Sequence, residues 1–211
     1  MPERPLVSII TPTIPARRSA LLTRCVRSVQ AQTYPNLEHI IVQDGPEIPL
    51  PDLEAGPVPV RVAHLGRNWR QFLRGECNGS PARVAGTLLA RGQLFGYLDD
   101  DDEFLPDHVA KLATLLERSG SDFVFSRMER VFDNGQRDVV GSGAVKFGHI
   151  GTPMVLHRAE CLRAANWPSR RCGEDCALFT AWVKAGLTFT YLPEVTVRVY
   201  ASLTRHSPRT A

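Results

Sequence analysis

The chain has 211 residues, of which 43% are hydrophobic and 22% are charged, a composition that fits one globular domain with a buried core. Its formal net charge is only +3, and no stretch interleaves dense Lys and Arg with aromatic residues, which excludes a nucleic-acid-binding surface of the usual kind. No run reaches the roughly 18 apolar residues that span a bilayer, and the start MPERPLVSII lacks the pattern of a signal peptide, so we expect no transmembrane segment.

The first third of the chain predicts alternating strands and helices. The apolar run LVSIIT, residues 6–11, is typical of a buried strand that ends at Pro12. Residues 19–31 place apolar side chains at helical spacing, and two further β-rich runs follow at residues 38–45 and 59–66. A strand, a helix and a second strand within about 40 residues indicate a βαβ unit and a parallel sheet.

The same alternation continues towards the middle of the chain. Residues 80–90 predict a helix, with Ser80 as its N-cap and Pro81 at its first position. A fourth strand is predicted at residues 93–98. It runs directly into four aspartates and then into a helix over residues 106–120.

The second half changes character. The dipeptide Asn134-Gly135 lies between two β-rich runs and predicts a hairpin with a type I′ turn. The remaining expected elements are strands and helices in mixed order: a strand at 152–156, helices at 158–165 and 174–185, and strands at 187–192 and 195–200.

The stretch YLDDDDEFLP, residues 97–106, places four carboxylates at the end of the fourth predicted strand. In open α/β sheets this is where ligands bind, and clustered carboxylates repel one another unless a cation lies between them or one is protonated. Hard oxygen ligands suit Mg²⁺ or Mn²⁺. Two alternatives stay open, an exposed acidic turn and acids at the start of the following helix. An EF-hand is excluded because Phe104 and Ala110 occupy the positions that need Gly and Glu.

Four stretches together carry a resemblance to a known family. They are VSIITPT, SVQAQTYPNLEHIIVQDGP, GSPARVAGTLLARGQLFGYLDDDDEFLPDH and CGEDCALF, and they lie in the family's order over about residues 6–185. The sequence resembles the inverting, GT-A-fold glycosyltransferases of glycosyltransferase family 2. The resemblance implies an α/β fold with a Rossmann-like, mostly parallel sheet flanked by helices. It also implies a nucleotide-sugar-binding half, about residues 1–105, and a smaller acceptor-binding half, about residues 106–211, in one domain.

The resemblance assigns donor-binding roles to residues of the first half. It implies that Thr11, Pro12 and Thr13 line the nucleotide-base pocket and that Asp44 accepts a hydrogen bond from the base. The residues expected to contact the rest of the donor are Arg83, facing the nucleotide, and Asp99 and Asp100, facing the ribose and the sugar. As plain structural residues, Asp44 would be a turn residue before Gly45 and Arg83 an exposed helix arginine.

The resemblance also implies a metal site and a general base. Asp101 would bind Mn²⁺ or Mg²⁺, with Asp102 and Glu103 either supporting that site from behind or starting the next helix, and His206 as a further metal ligand. Asp175 would take the proton from the acceptor hydroxyl, supported by Glu174. The alternatives are that Glu174 and Asp175 merely begin a helix, where the helix dipole favours acids, and that His206 is a solvated residue of a polar tail.

We therefore predict a metal-dependent, inverting glycosyltransferase that uses a nucleotide-diphospho-sugar, with a UDP-sugar favoured as donor and a small-molecule, glycan or lipid-linked acceptor. The five cysteines, at irregular spacing, are typical of free thiols and favour a cytoplasmic protein. A homodimer stays open. One alternative is a sugar-phosphate nucleotidyltransferase, against which the glycine-free loop TPTIPARR argues. The other is a catalytically inactive sugar-nucleotide-binding protein.

Overall fold

A computed structural model of the chain describes residues 4–14, 19–47, 49–50, 56–74, 79–170 and 172–201. The strands are β1 (Val7–Thr13), β2 (Leu37–Gln43), β3 (Val60–His64), β4 (Leu94–Tyr97), β5 (Glu103–Phe104), β6 (Phe123–Phe132), β7 (Arg137–Val140), β8 (Val155–Arg158) and β9 (Phe189–Ala201). The helices are α1 (Ser19–Gln30), α2 (Trp69–Phe72), α3 (Ser80–Leu89), α4 (His108–Ser119), α5 (Cys161–Ala164) and α6 (Glu174–Lys184), with a short 3-10 helix at Thr152–Met154.

The strands of the described residues form one mixed sheet in the order β3-β2-β1-β4-β8-β6-β9-β5, and β7 pairs with β6. The strands β3, β2, β1 and β4 are parallel, as the sequence predicts. The later strands are mixed, since β8 runs antiparallel to both β4 and β6, whereas β6 and β9 are parallel. The strand order reverses between β1 and β4. That reversal is the position at which open α/β sheets bind ligands beyond the carboxyl ends of their strands.

Burial explains why β1, β2 and β4 are recognisable in the sequence. Every residue of β1, β2 and β4 is buried, and strands covered on both faces have continuous apolar runs. The helix α3 packs directly on β1, because a Cβ added to Gly86 would collide with Cγ2 of Ile10. An aromatic cluster fills the second half of the core, where Phe123 packs against Phe179 and Trp182.

Two helix starts differ from the prediction. The residue that precedes α3 as its N-cap is Gly79, with φ of 76°, and Ser80 is already helical; the Ser80 hydroxyl donates instead to the Pro168 carbonyl at 2.9 Å. The helix α4 begins at His108 after Asp107. The acids of the aspartate run therefore lie too early to serve as the start of this helix, and the expectation for Asp102 is corrected below.

The hairpin between β6 and β7 forms, but its turn is not type I′. That turn requires positive φ at both central residues, and Arg74 is the one non-glycine residue with positive φ in the described part of the chain. The Gly135 amide donates to the Phe132 carbonyl at 2.9 Å, and the Phe132 amide donates to the Gln136 carbonyl at 2.9 Å. Gly135 has φ of 82°, so the loop is the three-residue type with glycine in the left-handed region.

Two predicted boundaries in the second half are also wrong. The segment expected as a strand from residue 152 begins as the 3-10 helix Thr152–Met154, and β8 then takes Arg158 from the helix predicted at 158–165. The two short strands expected at the end are one strand, β9, because its pairing with β6 is irregular between Tyr191 and Val195 and then resumes. Such an irregularity lets a strand continue through a Pro193-Glu194 interruption.

Candidate active site

The carboxyl ends of β1, β2 and β4 meet at the strand-order reversal and bring the first set of predicted residues together. The Asp44 amide, just after β2, donates to the Thr13 carbonyl at the end of β1 at 2.8 Å. The Thr13 hydroxyl donates to Oδ2 of Asp100 at 2.7 Å, across the gap to the turn that follows β4. Thr13, Asp44 and Asp100 are all buried. The ends of these three strands, with the turns that follow β2 and β4, therefore form one polar edge, which we call the rim.

Asp99, Arg83 and Glu174 form a second polar group beside this rim. Nη2 of Arg83 lies 2.6 Å from Oδ1 of Asp99, and Nη1 lies 3.3 Å from Oε1 of Glu174. The guanidinium also lies 4.8 Å from the ring centre of Trp167, within cation–π distance. The predicted exposed-arginine alternative is wrong, because the Arg83 side chain is only 3% exposed.

The charges of this group act on one another's pKa values. Burial by itself would lower the pKa of Arg83, but the carboxylates of Asp99 and Glu174 outweigh it and raise that pKa above its ordinary value. Burial raises the pKa of Glu174, and the Arg83 charge opposes that rise. Arg83 thus links the turn after β4 to the start of α6, and its bond to Glu174 joins residues 91 positions apart in the chain.

Asp175 is the second residue of α6 and is held by a neighbouring loop. Its Oδ2 accepts hydrogen bonds from the Thr152 amide at 3.2 Å and from the Thr152 hydroxyl at 3.4 Å. Its Oδ1 accepts from the Cys176 amide at 2.7 Å, in the first turn of the helix. Both carboxylate oxygens of Asp175 are therefore held in place at the N-terminal end of α6.

The last two aspartates of the run are held by α1 and by the end of β9. An Arg24 guanidinium nitrogen donates to the Asp101 carbonyl, and the same guanidinium lies 3.6 Å from the ring centre of Tyr200. The Tyr200 amide donates to Oδ1 of Asp102 at 3.0 Å. Burial, followed by repulsion from Asp99 and Asp101, raises the pKa of Asp102 well above its ordinary value. The alternative that Asp102 starts the next helix is therefore wrong: Asp102 is buried behind the other aspartates and holds the end of β9.

The other predicted residues have the following places. The Thr11 side chain hydrogen-bonds Nε2 of buried His39 at 2.9 Å and is itself buried. Pro12 is buried next to Thr13 in β1. Oδ1 of Asp44 accepts from the Trp69 amide at 2.8 Å, which fixes the start of α2. His206 lies outside the described residues.

The acidic turn offers oxygen ligands of the type that Mg²⁺ and Mn²⁺ prefer. Within the described ranges, no three His, Cys, Asp or Glu side chains are arranged to hold a metal ion by themselves. Mg²⁺ is commonly bound through one or two carboxylates, with substrate phosphates supplying other ligands. The donor set at this turn fits that mode of binding.

Three residues that contact the site were not predicted from the sequence. Thr152 binds Asp175, Trp167 packs on Arg83, and Arg24 binds the Asp101 carbonyl. The sequence contains many arginines, and nothing in the spacing of Arg24 distinguishes it from the others. Trp167 lies seven positions before Glu174 in a polar segment. An isolated Trp in such a segment was the one sequence feature that could have indicated a contact with the site.

Comparison with known sequences identifies a family and several relatives. A sequence model described as Glycosyl transferase family 2 matches residues 8–181. The chain is 28% identical over 199 residues to the putative teichuronic acid biosynthesis glycosyltransferase TuaG of Bacillus subtilis, covering 88% of this chain and 75% of TuaG. It is 28% identical over 123 residues to the GalNAc(5)-diNAcBac-PP-undecaprenol beta-1,3-glucosyltransferase of Campylobacter jejuni, covering 56% of this chain and 36% of that protein.

Comparison with solved structures identifies the fold. The crystal structure of Staphylococcus aureus TarS matches with a TM-score of 0.69 at 16% identity, covering 93% of this chain and 37% of TarS. TarS 1-349 in complex with UDP matches with a TM-score of 0.67 at 17% identity, covering 94% of this chain and 60% of that one. The chain spans less than two thirds of these structures and of several relatives. None of the helices in the described segments is both long and apolar enough to cross a membrane.

Proposed function

This chain belongs to glycosyl transferase family 2, and we propose that it transfers a sugar from a nucleotide-diphospho-sugar to an acceptor hydroxyl with inversion at the anomeric carbon. One observation carries the proposal. Buried Arg83 joins the acidic turn after β4, through Asp99, to the start of α6, through Glu174. A donor site and a general base are thereby held as one unit on rigid elements, as a displacement reaction requires.

We assign the donor to the rim formed by β1, β2 and β4. Pro12, Thr13 and Asp44 would surround the base, where the second oxygen of the Asp44 carboxylate has acceptor capacity beyond its bond to Trp69. Asp99 and Asp100 would contact the ribose and the sugar. A UDP-sugar is the favoured donor, since TarS, whose fold this chain shares, is described in complexes with UDP and with UDP-GlcNAc.

A divalent cation, Mn²⁺ or Mg²⁺, would be held by Asp101 together with the donor's phosphates, and His206 stays a predicted further ligand. When bound, it would offset the negative charge that develops on the departing nucleoside diphosphate. The protein's contribution is to hold the turn in place. The Arg24 guanidinium donates to the Asp101 carbonyl, and the Tyr200 amide donates to the Asp102 carboxylate, so the turn is held by two separate elements.

We assign the proton transfer to Asp175. As the acceptor oxygen attacks the anomeric carbon, its O–H proton passes to the Asp175 carboxylate while the bond from the anomeric carbon to the diphosphate oxygen breaks. The Thr152 amide and hydroxyl fix Oδ2 of Asp175. Glu174 acts indirectly, since it holds Arg83 rather than the acceptor.

The names of the relatives support a glycan or lipid-linked acceptor for this chain, because they refer to teichuronic acid biosynthesis and to a GalNAc-containing undecaprenol substrate. Residues 106–211 would provide the acceptor-binding half of a single domain. A cytoplasmic location and a homodimer stay predictions from the sequence.

The proposal is tested by incubating the protein with UDP-sugars, Mn²⁺ and a panel of saccharide acceptors, while released UDP and product are followed by NMR. We expect acceptor-dependent UDP release and a product whose anomeric configuration is opposite to that of the donor. A product of retained configuration would contradict the inverting mechanism. Binding of UDP without any transfer would favour the inactive sugar-nucleotide-binding alternative.

A further inference from the structure

The loop between β7 and the 3-10 helix carries an aromatic side chain that is mostly exposed to solvent. Phe147 is 71% exposed, while Val145, two residues earlier, packs against the core. Its chain neighbours, Lys146 and Gly148, are both exposed. A single exposed aromatic side chain is not unusual by itself, so the surroundings of the ring decide whether it has a role.

The loop is fixed at several points, so the position of the ring is defined. At its start, the Tyr191 hydroxyl donates to the Gly141 carbonyl at 2.9 Å. Across the loop, the Ser142 hydroxyl and Nδ1 of His149 are 2.6 Å apart. At its end, Thr152 donates its two hydrogen bonds to Asp175. Hydrogen bonds therefore hold both ends of this loop, and Phe147 lies between them.

The ring lies beside the proposed general base. A Cβ added to Gly173 would lie 3.3 Å from Cε2 of Phe147, so the ring edge packs over this glycine. Gly173 has φ of 69° and is the N-cap of α6. Asp175 follows two residues later, and two peptide units place their Cα atoms at most about 7 Å apart. The exposed ring thus lies near the helix end that carries Asp175.

We propose that Phe147 is the stacking platform for the sugar ring of the acceptor; this inference rests on the proposed function. A sugar ring has an apolar C–H face that can lie on an aromatic ring and a rim of hydroxyl groups, one of which would face Asp175. A long aliphatic chain is the poorer match, because the ring is flanked in the chain by a lysine and a glycine rather than by large apolar residues. On this assignment the acceptor subsite takes a saccharide ring rather than an alkyl chain.

Saturation-transfer NMR in the presence of UDP tests this assignment without requiring turnover. The probes are the methyl β-glycosides of glucose, galactose and N-acetylglucosamine, with 1-hexanol as the aliphatic probe. We expect at least one glycoside to bind the wild type and to bind about ten-fold more weakly to Phe147→Ala. Phe147→Trp should retain binding, and so should Leu88→Ala, which truncates an 81% exposed side chain at the end of α3.

The outcomes separate the inference from the proposed function. If no glycoside binds, or if Phe147→Ala binds the glycosides as the wild type does, the inference is overturned. A loss confined to 1-hexanol would assign the ring to a lipid chain and also overturn it. UDP binding is measured in parallel by thermal shift. Failure of UDP to stabilise any variant would contradict the proposed function, whereas the glycoside result is read independently of it.

Discussion

At the scale of single residues, Asp175 is the side chain on which the proposed chemistry depends. Its two oxygens accept hydrogen bonds from Thr152 and from the Cys176 amide, so its orientation is set before any substrate arrives. Glu174 beside it is turned the other way, into an ion pair with Arg83. Adjacent acids in one helix turn therefore have different tasks, and only the position of their partners distinguishes them.

We expect Asp175→Asn to lower the transfer rate by about 100- to 10,000-fold, because an amide cannot accept the acceptor's proton. UDP affinity should stay near the wild-type value, since the donor rim does not include this carboxylate. Steady-state kinetics and calorimetry with UDP measure the two effects. The control is Asp138→Asn, which removes a carboxylate paired with Arg130 on the β6–β7 hairpin. Wild-type turnover by Asp175→Asn would exclude it as the base.

Arg24 supports the acidic turn, so its loss should weaken donor binding without touching the base. It holds the Asp101 carbonyl and stacks on Tyr200 at 3.6 Å. We expect Arg24→Ala to raise the Kd for UDP in the presence of Mn²⁺ about ten-fold, with partial recovery in Arg24→Lys. The control is Arg27→Ala, an exposed arginine of the same helix. Equal Kd values for Arg24→Ala and Arg27→Ala would remove Arg24 from the site.

The places of the candidate site residues were predictable from the sequence where the ends of strands and helices alone decide them. The acids after β4 and at the start of α6 follow from element ends, and the structure places both beside Arg83. Side-chain partners were not predictable. Thr11 and Thr13 lie on the same strand, yet Thr11 bonds to His39 in the core whereas Thr13 bonds to Asp100 at the rim. Contacts between segments that are far apart in the chain, such as that of Thr152 with Asp175, cannot be predicted from the local sequence.

At the scale of elements, the close approach of α3 to β1 positions Arg83. Gly86 makes that approach possible, because any Cβ there would collide with Ile10. We expect Gly86→Ala to destabilise the protein by about 1–3 kcal/mol through overpacking, although alanine is the better helix former. Urea denaturation measures the effect. In the control Gly151→Ala, the added methyl group would meet Met128 at an ordinary 3.5 Å. A stabilised Gly86→Ala protein would show that the helix can move away freely.

Element prediction succeeded where continuous apolar runs mark strands buried on both faces, as in β1, β2 and β4. It failed where pairing geometry overrides the local pattern. Pro193 divides two β-rich runs in the sequence, but the irregular pairing with β6 lets β9 continue past it to Ala201. This continuation of β9 affects the candidate site, because the end of β9 brings the Tyr200 amide to Asp102.

At the scale of the whole molecule, three buried histidines tie stability to pH. Burial lowers the pKa of His39 and of His108 to about 3 and that of His157 to about 4. Because the folded pKa values lie below the ordinary value near 6.5, the unfolded chain binds more protons in the interval between them. The stability these neutral histidines contribute is thus complete above about pH 6.5 and is lost as the pH falls towards 4 and 3.

We expect the free energy of unfolding to fall between pH 6.5 and 5 by about 1.4 kcal/mol per pH unit for each buried histidine. Urea denaturation at a series of pH values measures the slope. His157→Gln should reduce it, since a neutral amide replaces a group that charges only on unfolding. The control His64→Gln changes a histidine whose side chain is 46% exposed and should leave the slope unchanged. A flat profile from pH 7 to 5 would contradict the assignment of neutral buried histidines.

The central claim is that the acidic turn after β4 is a metal-assisted nucleotide-sugar site, and calorimetry with nucleoside diphosphates tests it most directly. We expect UDP to bind the wild type, to bind more tightly with Mn²⁺ than without it, and to lose that metal-dependent gain in Asp101→Asn. Binding of no nucleoside diphosphate in either condition, or an unchanged metal-dependent gain in Asp101→Asn, would contradict the claim.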